Sequence, residues 1–476
     1  MEYKNLIGGN WEETANSVAN INPSDVSDIL GHAAKADVAD LDRTIDAAHI
    51  AASKWATSTP QQRFDVLDFI GSEILARKEE LGYLLSREEG KTLPEGIGES
   101  ARAGQIFKFF AGEALRQTGD RLASVRPGID VDITRSPIGV VGLITPWNFP
   151  IAIPAWKIAP ALCYGNAVIL KPAELVPGCA HALIEIISRS GLPDGVANLV
   201  MGSGSQIGPR LIDSDKVNAI SFTGSVPTGR GIARSCSAKL KKVQLEMGGK
   251  NPMVVLDDAD LDLAVDASLN SAFFSTGQRC TASSRLIVTE GIHDRFVAAL
   301  SERMIALKVG NALGAGVQMG PVVDASQLDQ NLSYIDIATK EGGNVIGGKR
   351  LNCETEGFYM SPALVTETNN NMRINREEVF GPIASVVRVS DYEEALQVAN
   401  DTEFGLSSGI CTTSLKYSSH FKTNAQAGMV MVNLPTAGVD YHVPFGGTKG
   451  SSFGSREQGT YAAEFYTTVK TAYTLP

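Results

Sequence analysis

The chain has little that would mark a nucleic-acid partner, a disulfide-stapled scaffold or a membrane span. Its formal net charge is −11 over 476 residues, so no basic excess is available to neutralise phosphates. The 6 cysteines (Cys163, Cys179, Cys236, Cys280, Cys353 and Cys411) are scattered. None pairs in C-x-x-C spacing, which argues against a zinc ribbon or a dense disulfide framework. The histidines are equally dispersed and include no H-E-x-x-H, so no metal site is expected. The longest greasy stretch, Ile138 to Leu170, is interrupted by Pro146, Asn148, Pro150, Pro154, Lys157 and Pro160. A spanning helix needs about 20 mostly apolar residues in a row, so this stretch reads as buried core. Met1 to Asn5 lack the apolar centre of a secretory leader. No internal repeat, low-complexity tract or flexible linker stands out. The expected compartment is the cytoplasm, with reduced thiols.

What is present is ordinary globular composition, 43% hydrophobic and 20% charged, in a chain long enough for two or three domains. Phe64, Leu67, Ile70, Ile74 and Leu75 recur at helical spacing within residues 60–90. Between 139 and 249 short apolar runs (Val140–Ile144, Ala167–Leu170, Ala197–Val200, Ala219–Phe222 and Val243–Leu245) alternate with helix-length segments. That alternation predicts β-α-β units in a doubly wound parallel sheet, which binds ligands at the carboxyl ends of its strands. A second α/β segment follows from about 250 to 447, with helices near 260–276 and 292–308 and strands at Ser385–Val389 and Met429–Val432. Residues Ala462 to Tyr473, with the stretch near Val131–Ile133, are expected to form an edge that pairs between subunits.

Three short motif matches lack their context. Gly450-Ser451-Ser452-Phe453-Gly454 fits the serine-hydrolase elbow but lies in a glycine-rich loop. Tyr466 and Lys470 copy a dehydrogenase pair far downstream of the parallel-sheet unit. Gly202-x-Gly204 begins a dinucleotide fingerprint, but Ile207 stands where the third glycine belongs. The sharper signal is Cys280 in Gly277-Gln278-Arg279-Cys280, in company with Glu246 at the exit of the last Rossmann-like strand and Asn148 at the exit of the first. A thiol, a carboxylate and an amide supply the nucleophile, base and oxyanion donor of an acyl-transfer site.

The motifs Pro146-Trp147-Asn148-Phe149-Pro150, Lys171-Pro172-Ala173-Glu174, Phe222-Thr223-Gly224-Ser225, Glu246-Met247-Gly248-Gly249-Lys250, Gly277-Gln278-Arg279-Cys280, Glu377-Glu378-Val379-Phe380-Gly381-Pro382 and Pro444-Phe445-Gly446-Gly447 together resemble the aldehyde dehydrogenase superfamily in order and spacing. The resemblance runs from about residue 5 to the C-terminus. It implies an α/β fold with a Rossmann-like cofactor domain (residues 1–118 and 137–248), an α/β catalytic domain (249–447) and a small β oligomerisation extension (119–136 and 460–476). It further implies NAD(P)-dependent oxidation of an aldehyde to a carboxylic acid. Cys280 is the implied nucleophile, passing through a thiohemiacetal and a thioester. Asn148 and the Cys280 backbone N–H stabilise the oxyanion, and Glu246 activates water. The implied cofactor contacts are Trp147, Lys171, Glu174, Gly224, Ser225, Glu378 and Phe380. A carboxylate at Glu174 accepts hydrogen bonds from ribose hydroxyls and repels a 2′-phosphate, so NAD is preferred, with NADP tolerated through Lys171.

The implied substrate walls are Phe149, Ile153, Trp156, Arg279, Val439 and Phe445. Arg279, the one cation among them, is a candidate to grip a distal carboxylate; the other reading is a surface or interdomain ion pair. The segments Asn433–Phe445 and Glu464–Lys470 are similar to the α-ketoglutarate semialdehyde (2,5-dioxopentanoate) dehydrogenase branch of the family. Succinate semialdehyde or another short aliphatic aldehyde is the alternative; the arginines of succinate semialdehyde enzymes are absent where Trp156, Phe274 and Ser275 stand. The expected partners are a small aldehyde, carboxylated on this reading, and further copies of the chain as a homodimer or homotetramer, with neither nucleic acid nor membrane. A non-redox thiol esterase and an inactive structural protein are the rival classes. The retained cofactor motifs argue against the first, and intact Cys280, Glu246 and Asn148 against the second.

Overall fold

The computed structural model describes residues 1–476. Its centre is an eight-stranded sheet in the order Ser452–Phe453, Lys242–Glu246, Ala219–Thr223, Val140–Ile144, Ala167–Lys171, Ala197–Leu199, Asn5–Ile7, Asn10–Glu12. The middle strands run parallel, while antiparallel partners close both edges. Residues 140–143 and 167–171 are buried without alternation, because helices cover both faces of a parallel sheet. Helix Val38–Ala56 packs on the Ala167–Lys171 strand, and helix Ala152–Cys163 packs beneath it. Every residue of the latter is buried, with Pro160 inside it; this is where the proline-broken greasy stretch goes. No helix is long and apolar enough to cross a membrane.

The parallel part of this sheet starts in the middle, at Val140–Ile144, winds outward through Ala167–Lys171 and Ala197–Leu199, then returns to the other side through Ala219–Thr223 and Lys242–Glu246. The order therefore reverses between Val140–Ile144 and Ala219–Thr223. Loops leaving the carboxyl ends of those two strands diverge and open a crevice.

A second, seven-stranded sheet follows: Asn344–Gly347, Ala363–Thr368, Ile383–Val389, Ser283–Thr289, Asn251–Val255, Ser407–Cys411, Met429–Val432. It is parallel except for its Asn344–Gly347 edge. The pattern read over 60–90 resolves into two helices, Pro60–Ala76 and Lys78–Glu89, separated at Arg77. The first opens on a Thr59–Gln62 capping box with Pro60 in the first turn. The helix expected near 260–276 stops at Phe273, because Ser275, Thr276 and Gly277 all take left-handed backbone angles. The helix expected near 292–308 runs Glu290–Ile305.

The C-terminal strand Thr467–Thr474 joins the stretch near Val131–Ile133 as expected, hydrogen-bonding to Asp130–Pro137 in register Thr471↔Ile133, with Asp120–Ala123 on the far side. A small N-terminal sheet of Glu2–Tyr3, Asp25–Ala34 and Ser17–Asn22 had no counterpart in the sequence reading.

Candidate active site

Cys280 sits in the turn between helix Leu261–Phe273 and strand Ser283–Thr289. That turn is over-determined by its neighbours. Glu95 accepts from both the Ser275 backbone N–H (2.8 Å) and its hydroxyl (2.9 Å). Gln278 Oε1 accepts from Val323 N–H at 3.0 Å. The Cys280 carbonyl accepts from Asn251 Nδ2 at 2.7 Å, and the Thr281 carbonyl from Thr436 Oγ1 at 2.7 Å. A Cβ on Gly249 would lie 2.7 Å from that Cys280 carbonyl, which explains the glycine. Burial, with Glu378 and Glu246 adding to it, pushes the Cys280 thiol up to about 12; the backbone N–H groups of Thr281 and Cys280 oppose this.

Two cavities meet at this residue. One, about 350 Å³, has Phe149, Trp156, Arg279, Val439 and Phe445 in its walls. The other, about 400 Å³, fills the crevice at the strand-order reversal; Trp147, Asn148, Gly224, Ser225, Glu378 and Phe380 are among its walls. Cys280 is the one residue common to both. Ile153, expected on the substrate side, faces the crevice instead.

Asn148 is brought to the same wall as Cys280, with its Nδ2 donating to the Gln278 carbonyl at 3.0 Å. One of its two amide hydrogens is thereby engaged and one remains. Behind it, Lys91 Nζ donates to the Asn148 carbonyl (2.5 Å) and pairs with Glu99 (2.8 Å). Glu99 in turn accepts from the Ile151 and Ala152 N–H groups. Glu246 is the exception among the three: it is in neither wall, and its Oε2 accepts from Ser452 Oγ at 2.5 Å. Burial and the neighbouring Glu457 hold its carboxyl well above the usual range, while Ser452 and Lys157 oppose them. Lys157 and Glu457 form a fully buried ion pair, with Lys157 also donating to Ser221 Oγ at 2.8 Å.

The crevice has features suited to a dinucleotide. Ser225 precedes helix Val226–Ala238, yet its side chain caps no backbone N–H, its hydroxyl lying 2.9 Å from that of Thr228. The amides of that helix end are left for an anion. Glu378 accepts from Gly249 N–H at 2.9 Å, and a Cβ on Gly248 would lie 2.0 Å from its other oxygen. Burial raises the Glu378 carboxyl to about 7. Phe380 takes a left-handed backbone (φ 59°), meets the Trp147 ring edge-on at 5.4 Å, and has its carbonyl held by Gln327. Lys171 and Glu174 lie apart from this cavity, where Glu174 accepts from Gly204 N–H at 3.1 Å. A protein carrying these two chambers and this cysteine is matched by one family model over residues 11–472, described as the aldehyde dehydrogenase family.

The chain belongs to the aldehyde dehydrogenase family.

It is 44% identical to an alpha-ketoglutaric semialdehyde dehydrogenase of Bacillus subtilis (strain 168), over 100% of this chain and 98% of the relative. It is 36% identical to a 2,5-dioxopentanoate dehydrogenase of Saccharolobus solfataricus, over 98% of this chain and 97% of the relative. Among solved structures it resembles a betaine aldehyde dehydrogenase from Staphylococcus aureus in complex with NAD+. That match has a TM-score of 0.97 and 34% identity, and covers 99% of this chain and 94% of the other.

Several residues of this aldehyde dehydrogenase escaped the sequence reading. Ser452 belongs to the segment set aside as a false hydrolase elbow, and it holds Glu246. Gly204 belongs to the rejected dinucleotide fingerprint, and it binds Glu174. Lys157 did carry a signal, a lone charge inside an apolar helix, because a buried ammonium needs a partner. Arg102, in helix Leu93–Ala114, lines the cavity walled by Phe149, Trp156 and Phe445 and had no signal at all.

Proposed function

We propose that this aldehyde dehydrogenase oxidises a small carboxylated aldehyde, α-ketoglutarate semialdehyde (2,5-dioxopentanoate), to α-ketoglutarate with NAD. One observation carries the chemistry: Cys280 alone lines both chambers, so its sulfur can hold an aldehyde from one side against a nicotinamide entering from the other. Attack of Cys280 Sγ on the aldehyde carbon, its S–H proton passing to solvent water in the open crevice, places an alkoxide beside the free Asn148 amide hydrogen and the Cys280 N–H. Losing one such donor costs about 3 kcal/mol of transition-state stabilisation. A nicotinamide bound in the crevice supplies the hydride acceptor, with Glu378, Phe380, Trp147, Gly224 and Ser225 positioning it and Lys171 and Glu174 at its adenosine end. Glu246 then takes a proton from the water that attacks the Cys280 thioester, once it leaves Ser452.

Support for a carboxylated substrate comes from the two relatives named for α-ketoglutarate semialdehyde and its synonym, and from the chamber walls, where Arg102 and Arg279 stand among aromatic rings. Arg279 is less available than its position implied, since its Nη2 is spent on the carbonyls of Asn270 and Ser271 at the end of helix Leu261–Phe273. Support for NAD over NADP is the Glu174 carboxylate beside Gly204. All six cysteines are free thiols, which fits a reducing cytoplasm. We place cofactor binding in residues 1–118 and 137–248, catalysis in 249–447, and assembly into a homodimer or homotetramer in 119–136 and 460–476.

The test is reduction of NAD and NADP by purified enzyme across an aldehyde panel, with Cys280→Ala alongside. Preference for carboxylated aldehydes and NAD is expected, with turnover abolished in the variant while NAD still binds. Turnover surviving in Cys280→Ala refutes the nucleophile.

A further inference from the structure

We infer that Arg102 and Trp156 together form a receptor for the 2-oxo acid end of the substrate, Arg102 pairing with the carboxylate and the Trp156 indole N–H donating to the adjacent keto oxygen. The inference rests on the carboxylated-aldehyde reading above and adds which groups read the far end.

The two side chains come from helices Leu93–Ala114 and Ala152–Cys163, which pack directly on each other. Their relative placement is therefore set by helix packing rather than by a loop. The Arg102 guanidinium carbon lies 6.0 Å from the Trp156 ring centroid, and Trp156 leans on Phe445 at 5.3 Å. Both residues line the substrate-side cavity with Cys280, and burial disfavours the arginine's charge.

Donors on residues that line the chamber have no hydrogen-bond partner in the protein, and of the carboxylates that favour the Arg102 charge, Glu99 and Asp440, neither hydrogen-bonds to it. Arg102 Nη2 makes a single long bond to Gln458 Oε1 (3.3 Å), and Arg102 Nε is buried with no partner. Trp156 Nε1 is likewise buried and unpartnered, as is Arg279 Nε. The two carboxylates in the walls are committed elsewhere, Glu99 to Lys91 and Glu95 to Ser275 and Thr92. Unmet donors in a buried apolar chamber are costly, and a charged arginine there calls for an anion. An ionised 2-oxo acid end is acceptor-only, with two carboxylate oxygens and a neighbouring carbonyl. A simple carboxylate satisfies Arg102 and leaves the indole unmet.

The experiment compares kcat/KM for 2,5-dioxopentanoate, for 5-oxopentanoate (the same chain without the keto group) and for pentanal, with the NAD-loaded enzyme. Arg102→Met is expected to lower the ratio of 2,5-dioxopentanoate to pentanal by about 100-fold, with Arg102→Lys recovering part of it. Trp156→Phe keeps the ring and loses the donor; it is expected to lower the ratio of 2,5-dioxopentanoate to 5-oxopentanoate by about 10-fold. If the wild type favours carboxylated aldehydes but Arg102→Met lowers all three substrates alike, the receptor is wrong while the wider reading stands. An unchanged keto preference in Trp156→Phe removes the indole's part even where Arg102→Met fails to fold. A wild type that prefers pentanal overturns both readings.

Discussion

A thiol pushed up to about 12 is neutral at physiological pH, so on the proposed mechanism Cys280 attacks only as its proton departs. The hydrolytic half of the cycle has the complementary difficulty. Glu246 lies well above the usual carboxylate range, and as the acid it cannot accept water's proton. With Glu246 as the proposed base, thioester hydrolysis is expected above its folded pKa and is lost as pH falls through it. The two halves of the buried ion pair push that pKa in opposite senses: Glu457 raises it and Lys157 lowers it. Glu457→Gln should move the acid limb of single-turnover thioester hydrolysis to lower pH, and Lys157→Met should move it to higher pH, each by about one unit. Shifts of the same sign in both variants would remove the coupling. At this scale Cys280, Glu246 and Asn148 were legible as candidates, because each chemistry-bearing side chain stands in a distinctive local string. Lys157, Glu457 and Ser452 were not read as a set, since they meet only where a C-terminal strand returns to the first sheet.

The element that matters most is the left-handed turn ahead of Cys280. Ser275 (φ 51°) and Thr276 (φ 55°) are non-glycine residues in a region costing roughly 1–2 kcal/mol each. Hydrogen bonds from Ser275 to Glu95 and from Thr276 Oγ1 to the Gly320 carbonyl (3.1 Å) offset the strain. Gly277 completes the turn at φ 63°, where a Cβ would stand 2.2 Å from the Gly381 carbonyl. Gly277→Ala should destabilise the enzyme by more than about 2 kcal/mol in denaturant unfolding and lower kcat at least ten-fold. Wild-type stability and rate in that variant would show that the turn is not what places Cys280. The sequence pattern extended this helix to 276 because apolar and small residues continue past Phe273; periodicity does not register a reversal of backbone hand. The parallel-sheet strands were legible for the opposite reason. Burial on both faces selects unbroken β-branched and aliphatic runs, and these appear in the chain as such.

At the scale of the whole molecule, the three-stranded sheet of Thr467–Thr474, Asp130–Pro137 and Asp120–Ala123 presents Leu122, Val469 and Tyr473 to solvent, each more than half exposed. Apolar side chains exposed on a sheet are what a subunit contact would cover. Val469→Asp with Tyr473→Asp should therefore convert an oligomer to monomer in light scattering; an unchanged mass would place the contact elsewhere. The amino-acid sequence by itself determined the layers and the parallel strands, because these follow from local period and local residue type, and it singled out Cys280 as the candidate thiol through its resemblance to a family. Tertiary structure alone decided that Asn148 and Cys280 share one wall, that Glu246 faces Ser452, that Ile153 turns to the crevice, and that Arg102 and Trp156 share a chamber. Those pairings join residues between about 50 and 200 positions apart, and only packing of whole helices and strands sets which distant side chains meet.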